Sequence, residues 1–546
     1  MYTQGMPGRR FLMVYPTFRP SVAGVQYALP LFGKKSLLPP LGLLTVAALT
    51  PPEYEIRLID MNCRPLTEED LRWADAVLFS AMVTQREALF AAAAQARALG
   101  KFVVFGGPFP TSCADDCRPH CDALVLNEGE ITWPLFLADW EKGRPAALYR
   151  TEDKADVRRS PPPRFDLVRL SDYGAGNVQF SRGCPFQCEF CDITTLLGRV
   201  PRLKTADQFL AELDRLHAAG HRGQVWVVDD NFIGNFRDLQ ALLPRLKEWN
   251  AAHGHPFHYF FEASSNLADH PEMLRALVEA RFNLVFVGLE SPAMESLTET
   301  RKFQNLRGSL VDKVRVLQRA GLAVMGGFVV GFDNDPPDIF ERQQRFIEAT
   351  AVADAYISVL VALPGTPLFD RLRREGRLLP GEETRHTTHS AHSNIRFKMA
   401  PGPFLRGYRD LVAQAFTPRA YFDRALRTLQ RMSESRRLGE RFESLRADFR
   451  SITRAAASGP RPKTSFLAPV TALWRFFAAL PPSFRWQSIV FALRVACSVP
   501  DRWPWIFHFI AMGYHYHRFT YENMLPGLDE AIAEADRRPN PLAAAV

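Results

Sequence analysis

The sequence holds no uninterrupted apolar stretch of about 18 residues, so a membrane-spanning helix is not expected. Its opening, Met1 to Arg10 followed by Phe11-Leu12-Met13-Val14-Tyr15, has too short an apolar run for a secretory leader and reads as a strand. Cysteine is scarce, 8 in 546 residues, which excludes a disulfide framework and points to a reducing, cytoplasmic setting. A second Cys-x2-Cys knuckle is missing, so a paired zinc site is disfavoured. Charged residues make up only 23% and hydrophobic ones 47%, proportions that exclude a disordered chain. The net charge of +8 is mildly basic, but no recognised nucleic-acid module accompanies it, and no nucleic-acid partner is expected. The length exceeds what one core usually organises and implies two or three domains.

What the chain does have is Ser181-Arg182-Gly183-Cys184-Pro185-Phe186-Gln187-Cys188-Glu189-Phe190-Cys191. The spacing Cys-x3-Cys-x2-Cys gathers three thiolates in one tight loop, enough to hold three irons of a 4Fe-4S cluster. The fourth iron is left open to a small ligand. Zinc would want a fourth protein ligand at such a site. A second group, Cys113, Cys117 and Cys121, is spaced Cys-x3-Cys-x3-Cys with Pro119 between its last two members. It reads as buried apolar cysteine rather than as a metal site.

Residues 1 to about 150 alternate apolar runs with helical stretches, the pattern of a doubly wound parallel sheet. The candidate strands are Phe11–Tyr15, Ile56–Ile59, Ala76–Phe79, Phe102–Phe105 and Ala123–Leu126. Polar or glycine-rich loops follow them, including Ser80-Ala81-Met82, Gly106-Gly107-Pro108 and Asn127-Glu128-Gly129-Glu130, and ligands of such sheets gather at these carboxyl ends. The loops lack Gly-x-Gly-x-x-Gly, which disfavours a dinucleotide. Ser160-Pro161-Pro162-Pro163-Arg164 marks a stiff linker at 151–170. Across 171–370 strand-like runs recur at Val178–Ser181, Gln224–Val228, His258–Glu262, Leu284–Gly288, Ala323–Val330 and Tyr356–Leu363, which fits a partial (β/α)6 TIM-like barrel. Their polar ends carry Asp229-Asp230-Asn231, Glu262-Ala263-Ser264, Gly288-Leu289-Glu290-Ser291 and the glycine-rich run Gly326 to Phe332.

The cysteine motif, with the aromatic Phe190 before its last member, resembles that of the radical S-adenosylmethionine superfamily. The first domain resembles the cobalamin-binding module that precedes the barrel in one large branch of it. Among the segments that carry the likeness are Leu38-Pro39-Pro40-Leu41-Gly42-Leu43, Val228-Asp229-Asp230-Asn231-Phe232 and Gly326-Gly327-Phe328-Val329-Val330-Gly331-Phe332-Asp333. In motif pattern the chain is most similar to the hopanoid C-2 methylases and their relatives. The resemblance implies three cofactors: a 4Fe-4S cluster on Cys184, Cys188 and Cys191, S-adenosylmethionine and cobalamin. It implies that Phe190, Asp230, Ser264, Glu290 and Gly331 contact S-adenosylmethionine, and that Ser80, Gly106, Gly107 and Glu128 contact cobalamin. Taken singly, Asp, Ser and Gly at these ends also serve as helix caps and turns. One feature departs from cobalamin modules that place a histidine under the cobalt: Asp-x-His-x-x-Gly is missing.

From about 371 to 546 the alternation gives way to a helical C-terminal region. It contains a loose group of His386, His389 and His392, an arginine-rich stretch with Arg424, Arg427, Arg431, Arg436, Arg437 and Arg441, and an aromatic stretch from Trp474-Arg475 to Trp503-Pro504-Trp505 and Tyr514-His515-Tyr516. Two readings stay open for it: a cap packed on the barrel mouth, or peripheral contact with the inner membrane face. The resemblance implies C-methylation of an unactivated carbon on a small apolar substrate such as a hopanoid-type lipid, driven by an adenosyl radical and fed by an electron donor such as flavodoxin or ferredoxin. The alternatives are a non-methylating cobalamin-dependent enzyme, performing cyclisation or oxidation in tetrapyrrole or lipid metabolism, and a cofactor-binding sensor. The intact cysteine triad argues against the sensor, which has no need of an open iron.

Overall fold

Apolar runs separated by amphipathic helices build two parallel sheets and a helical tail. The computed structural model describes residues 8–380, 393–434 and 476–537. His386, His389, His392, Arg436, Arg437, Arg441, Trp474 and Arg475 lie outside the described residues.

The first sheet comprises β1 (Arg10–Tyr15), β2 (Glu55–Asp60), β3 (Ala76–Ser80), β4 (Phe102–Gly106), β5 (Ala123–Val125) and the two-residue edge β6 (Leu148–Tyr149). All neighbours are parallel, in the order β2-β1-β3-β4-β5-β6. Side chains along β1 alternate between two cores. Phe11 and Met13 pack with Trp133, Phe136 and Trp140 of the Gly129–Glu141 helix; Leu12 and Val14 pack with Leu89, Ala92 and Ala96 of the Arg86–Ala98 helix. Helices on both faces explain why these strands read as continuous apolar runs. This is the Rossmann-like domain, and the strand order reverses between β1 and β3, where loops diverge and leave a crevice.

The second sheet begins with β7 (Gly176–Val178). A short antiparallel ribbon of β8 (Ser181–Arg182) and β9 (Arg202–Leu203) follows, then β10 (Gly223–Val227), β11 (Phe257–Glu262), β12 (Phe282–Glu290), β13 (Ala323–Val330) and β14 (Ala355–Val359). Strands β7 and β10 to β14 are parallel and lie in chain order, with β7 and β14 at the two edges. The sequence suggests one strand over Val178–Ser181, but the chain breaks after Val178. The buried Asp229 carboxylate accepts the backbone N–H groups of Phe180 (2.7 Å) and Ser181 (2.6 Å), donors that a ladder would have used. Freed from the sheet, the chain turns into β8, and the β8–β9 ribbon pinches the base of the cysteine loop.

The gap between the edges is bridged by the first domain. Asn177 Nδ2 donates to Pro39 O at 3.0 Å, and Gly174 N–H donates to Ser36 O at 2.9 Å. At the other end of this segment, Tyr27 N–H donates to His515 Nδ1 (3.4 Å), and His515 Nε2 donates to Val22 O (3.0 Å). Burial lowers the His515 pKa to about 4, which keeps the ring neutral, able to accept at one nitrogen and donate at the other. His515 lies on the Trp505–Phe519 helix, whose Tyr516 packs edge-on against Tyr356 of β14 at 6.1 Å.

The tail helices Pro401–Ala415, Pro418–Ser433 and Pro482–Ser498 each start on a proline, which suits a first turn whose N–H has no partner in the helix. They pack on the barrel's flank rather than across its mouth. Arg431 donates to Gln318 on the Leu310–Ala320 helix (2.9 Å), and Tyr421 donates to Asp354 just before β14 (2.9 Å). Most of the tail's aromatics are core, among them Phe484, Phe491, Phe509 and Tyr516, whereas Trp486 and Leu493 are 65% and 61% exposed. Among the described residues no helix is long and apolar enough to cross a membrane.

Arg424 pins tail to barrel. Fully buried, it donates to Glu348 (2.7 Å), to Val352 O (2.9 Å) and to Ala415 O (2.6 Å). Arg424→Leu strands two buried carbonyls and is expected to cost about 3 kcal/mol. Thermal unfolding would show this as a clear drop in Tm, and an unchanged Tm refutes the account.

Candidate active site

Three regions meet where the sheets face each other: the cysteine loop, the barrel lumen and the cleft at the carboxyl ends of β3 to β5. The loop is tied down on several sides. Cys184 N–H donates to Gly198 O (3.2 Å), Glu189 N–H to Thr300 O (2.9 Å) and Leu368 N–H to Glu189 O (3.0 Å). The Glu189 carboxylate also receives Arg371 at 2.8 Å, and Arg371 reaches Asp333 at 2.9 Å. Gly183 has φ +99°, and a Cβ there would lie 2.8 Å from Gly198 O, so the residue before Cys184 must be glycine.

Burial pushes the Cys184 thiol up and the Cys191 thiol up to about 12. Bare thiolates are therefore disfavoured here, and coordinated iron is the counter-charge that reverses this. Gln304 Nε2 donates to Cys188 Sγ at 3.5 Å, the kind of contact that tunes an iron–sulfur potential. Lys302 closes the arrangement. Its ammonium pairs with Glu290 at 2.7 Å and sits 5.8 Å from the centre of the Phe190 ring. Burial works against this ammonium, yet Glu290 and the neighbouring Cys188 outweigh it and hold the lysine pKa above its ordinary value. Among the described residues no three His, Cys, Asp or Glu converge on a single ion.

The lumen holds a cavity of ≈ 350 Å³ lined by inward residues of β10 to β14, with Phe190 and Ala23 at its margins. Trp226 and Phe260 lie 4.1 Å apart within it, and Phe286 meets Tyr356 edge-on at 5.6 Å. Gly288 leaves room for Glu290 and Lys302, since a Cβ there would come 2.3 Å from Glu290 Oε1.

The second cavity, ≈ 240 Å³, lies between the domains. Ser80, Gly106, Gly107 and Glu128 all line it, with Gln179, Arg182 and Leu197 from the barrel side. Gly107 has φ +88°, and a Cβ would lie 2.4 Å from Ser80 Oγ, so the backbone itself forms the floor. Asn127 Oδ1 and Glu128 Oε1 are buried here without hydrogen-bond partners among the described residues. Two orphan acceptors suit a ligand that carries N–H groups, and the corrin ring of cobalamin is rimmed with primary amides. The other oxygen of Glu128 accepts from Arg182 (3.0 Å) and Arg202 (2.8 Å), while Arg182 also forks onto Glu130 at 2.9 and 2.7 Å. Burial opposes ionisation of Glu130, but Arg182 outweighs it and holds the carboxyl at about 2.

Of the residues expected at the S-adenosylmethionine site, Phe190 and Glu290 line the lumen. Asp230 accepts Gly183 N–H (3.1 Å) beside the loop, its carboxyl pushed up by burial to about 6. Ser264 donates to Asn266 (2.6 Å), and Gly331, at φ +107°, donates its N–H to Asp335 (2.7 Å). Neither of these two lines the lumen cavity. Lys302, Gln304, Trp226 and Arg182 are site residues that strand-end reasoning passes over. Cys113 and Cys117 are buried and Cys121 half-buried, all with thiols raised by burial.

Comparison with known proteins fits this geometry. The B12 binding domain matches residues 35–137, the radical SAM superfamily residues 178–347, and a domain of unknown function residues 366–525. An uncharacterized methyltransferase of Synechocystis sp. is 44% identical over 77% of this chain and 78% of its own length. The hopanoid C-2 methylase of Rhodopseudomonas palustris is 37% identical over 77% and 79%. The fold is similar to that of OxsB, a cobalamin-dependent S-adenosylmethionine radical enzyme, with TM-score 0.58 at 14% identity over 98% of this chain and 82% of that one. Fold and site together define a B12-binding radical S-adenosylmethionine enzyme. The chain belongs to the cobalamin-dependent radical S-adenosylmethionine methyltransferases, which work with a 4Fe-4S cluster, S-adenosylmethionine and cobalamin.

Two outcomes are expected. Alanine at Cys184, Cys188 and Cys191 together brings iron after anaerobic reconstitution down to background, and retained iron refutes the assignment. Lys302→Met removes the positive charge beside the loop, so a reconstituted cluster becomes harder to reduce. Potentiometric titration followed by electron paramagnetic resonance should show a lower midpoint, and an unchanged or higher one refutes the electrostatic account.

Proposed function

We propose that this enzyme C-methylates an unactivated carbon of an apolar polycyclic substrate of the hopanoid lipid class. The observation that carries the reading is the aromatic lumen beside the cysteine loop: Trp226, Phe260, Phe286 and Tyr356 offer flat apolar walls within reach of Phe190. A pocket of this composition suits a fused-ring skeleton with few polar groups. The likeness to a hopanoid C-2 methylase supports the same class.

In this reading Cys184, Cys188 and Cys191 hold the cluster. Phe190, Asp230 and Glu290 line the seat of S-adenosylmethionine, with Ser264 and Gly331 at its rim. Ser80, Gly106, Gly107 and Glu128 cradle cobalamin, and Asn127 joins them. When bound, the three groups supply one-electron cleavage of a sulfonium and a methyl carried on cobalt. The chain's own part is to hold them on either side of one dry cavity. Lys302 fixes the Glu290 carboxylate, Arg182 holds cleft and loop in register, and the apolar walls exclude water that would divert a reactive intermediate. An external one-electron donor of the flavodoxin or ferredoxin kind completes the cycle. The Pro482–Ser498 helix has no acidic residue and exposes Trp486 and Leu493 seven positions apart, on one side of the helix; this supports contact with a lipid surface, from which such a substrate would come.

The test is anaerobic. Protein reconstituted with iron, sulfide and cobalamin is given S-adenosylmethionine with a deuterated methyl group and a total lipid extract. A triterpenoid gaining the labelled methyl, with 5′-deoxyadenosine and S-adenosylhomocysteine both formed, is the expected outcome; deoxyadenosine without labelled lipid refutes the substrate class. Gly107→Val tests the cleft: cobalamin retention on gel filtration should fall at least about tenfold, because the new side chain fills the cavity floor, while iron content stays unchanged.

A further inference from the structure

Glu262 ends β11 with its carboxyl in the lumen wall, opposite Phe286 across the β11–β12 ladder. Among the described residues this carboxyl has no hydrogen bond or ion pair, although the other lumen carboxylate, Glu290, is neutralised by Lys302 at 2.7 Å. Around it stand Trp226 from β10, Phe260 from its own strand, Phe286 from β12, Met325 and Gly327 from β13, and Tyr356 and Ser358 from β14. The charged or titratable groups facing it are the Glu290–Lys302 pair from the β12 side, Asp229 and Asp230 beyond the end of β10, and Tyr356 from β14. Strand β13 contributes no titratable group to the cavity wall. Burial, reinforced by Asp230 and Asp229, pushes the Glu262 carboxyl up to about 8, so near neutral pH it carries a proton and can donate.

Replacing a hydrogen by a methyl through radical chemistry calls for no proton from such a group, and the described residues give it nothing to hold. An unpartnered polar group in an apolar cavity is costly unless a ligand completes it. We infer that Glu262 is the specificity-determining residue of the lumen, the one polar anchor for a neutral, largely apolar ring system that presents a hydrogen-bond-accepting oxygen to it. The inference rests on the reading of the lumen as the substrate site and narrows the substrate class. A wholly hydrocarbon ring would leave the donor unsatisfied, and an anionic group would find Lys302, the nearby cation, already paired with Glu290. An oxygenated neutral ring satisfies the donor and keeps the aromatic walls covered.

The test uses two neutral probes of one skeleton, fluorenone and fluorene, which differ by a carbonyl oxygen. Their affinities for reconstituted holoenzyme are measured by equilibrium dialysis, with iron and cobalamin content as the check on folding. The fluorenone-to-fluorene affinity ratio should fall about tenfold in Glu262→Leu, the size of one hydrogen bond, and be retained in Glu262→Gln, whose amide still donates. In the wild type the ratio should also fall as pH rises through about 8, where the carboxyl loses its proton, and in Glu262→Gln it should stay level. Equal ratios in wild type and Glu262→Leu overturn the inference, as does failure of the wild type to bind either probe. Neither probe is a triterpenoid, so a failed lipid-labelling experiment refutes the substrate class without deciding this result.

Discussion

The interaction on which the arrangement depends is the buried fork of Arg182 between Glu128 and Glu130. Arg182 sits two residues before Cys184, and the two glutamates flank the glycine that starts a helix of the other domain. Charges taken out of water are worth holding only when their geometry is tight and their remaining lone pairs are met. Arg202 meets one of those pairs at 2.8 Å and Ser160 donates to another at 2.6 Å, while Glu128 keeps one oxygen for the cleft. A single network thus sets the distance between the two surfaces that must face each other for methyl transfer.

Around it the two cavities divide the work by polarity. The interdomain cleft is floored by backbone and, among the described residues, offers the orphan acceptors of Asn127 and Glu128; the lumen is walled by aromatic rings and presents the Glu262 carboxyl. The cysteine loop lies between them, its Cys184 and Cys191 thiols raised by burial and its flank steadied by Lys302 and Gln304. Burial is the common cause at Cys184, Cys191, Asp230 and Glu262: the same exclusion of water that protects reactive chemistry pushes their titration up.

Much of this was legible from residue order. Apolar runs marked both sheets because strands covered on two faces need no polar alternation, and the cysteine spacing marked the loop because three ligands fell within eight residues. The four residues expected at the cobalamin cleft do line one cavity, since the carboxyl ends of parallel strands converge by topology. Contacts made by residues that reach the site from elsewhere were not legible. Lys302 and Gln304 come from a turn after β12, and nothing in their neighbours announces a thiol nearby. At Gly331 a positive φ and the Phe397 ring, 2.7 Å from where a Cβ would be, add a packing reason for glycine that residue order alone does not show. Glu262 was visible as a strand end, whereas its lack of a partner among the described residues is a three-dimensional fact. The expected strand over Val178–Ser181 failed because Asp229, 48 positions beyond Ser181, captures its donors.

Residues 22–39 leave the Rossmann-like domain and span the open side of the barrel, from Asn177 on β7 to His515 on the tail. The barrel wall is therefore a mosaic assembled from three distant parts of the chain. A barrel excised at the proline linker would lose the segment that contacts both Asn177 and His515 and would carry an unsealed seam. Exchanging either half for that of a relative would therefore have to carry residues 22–39, with their contacts to Asn177 and His515, along with it.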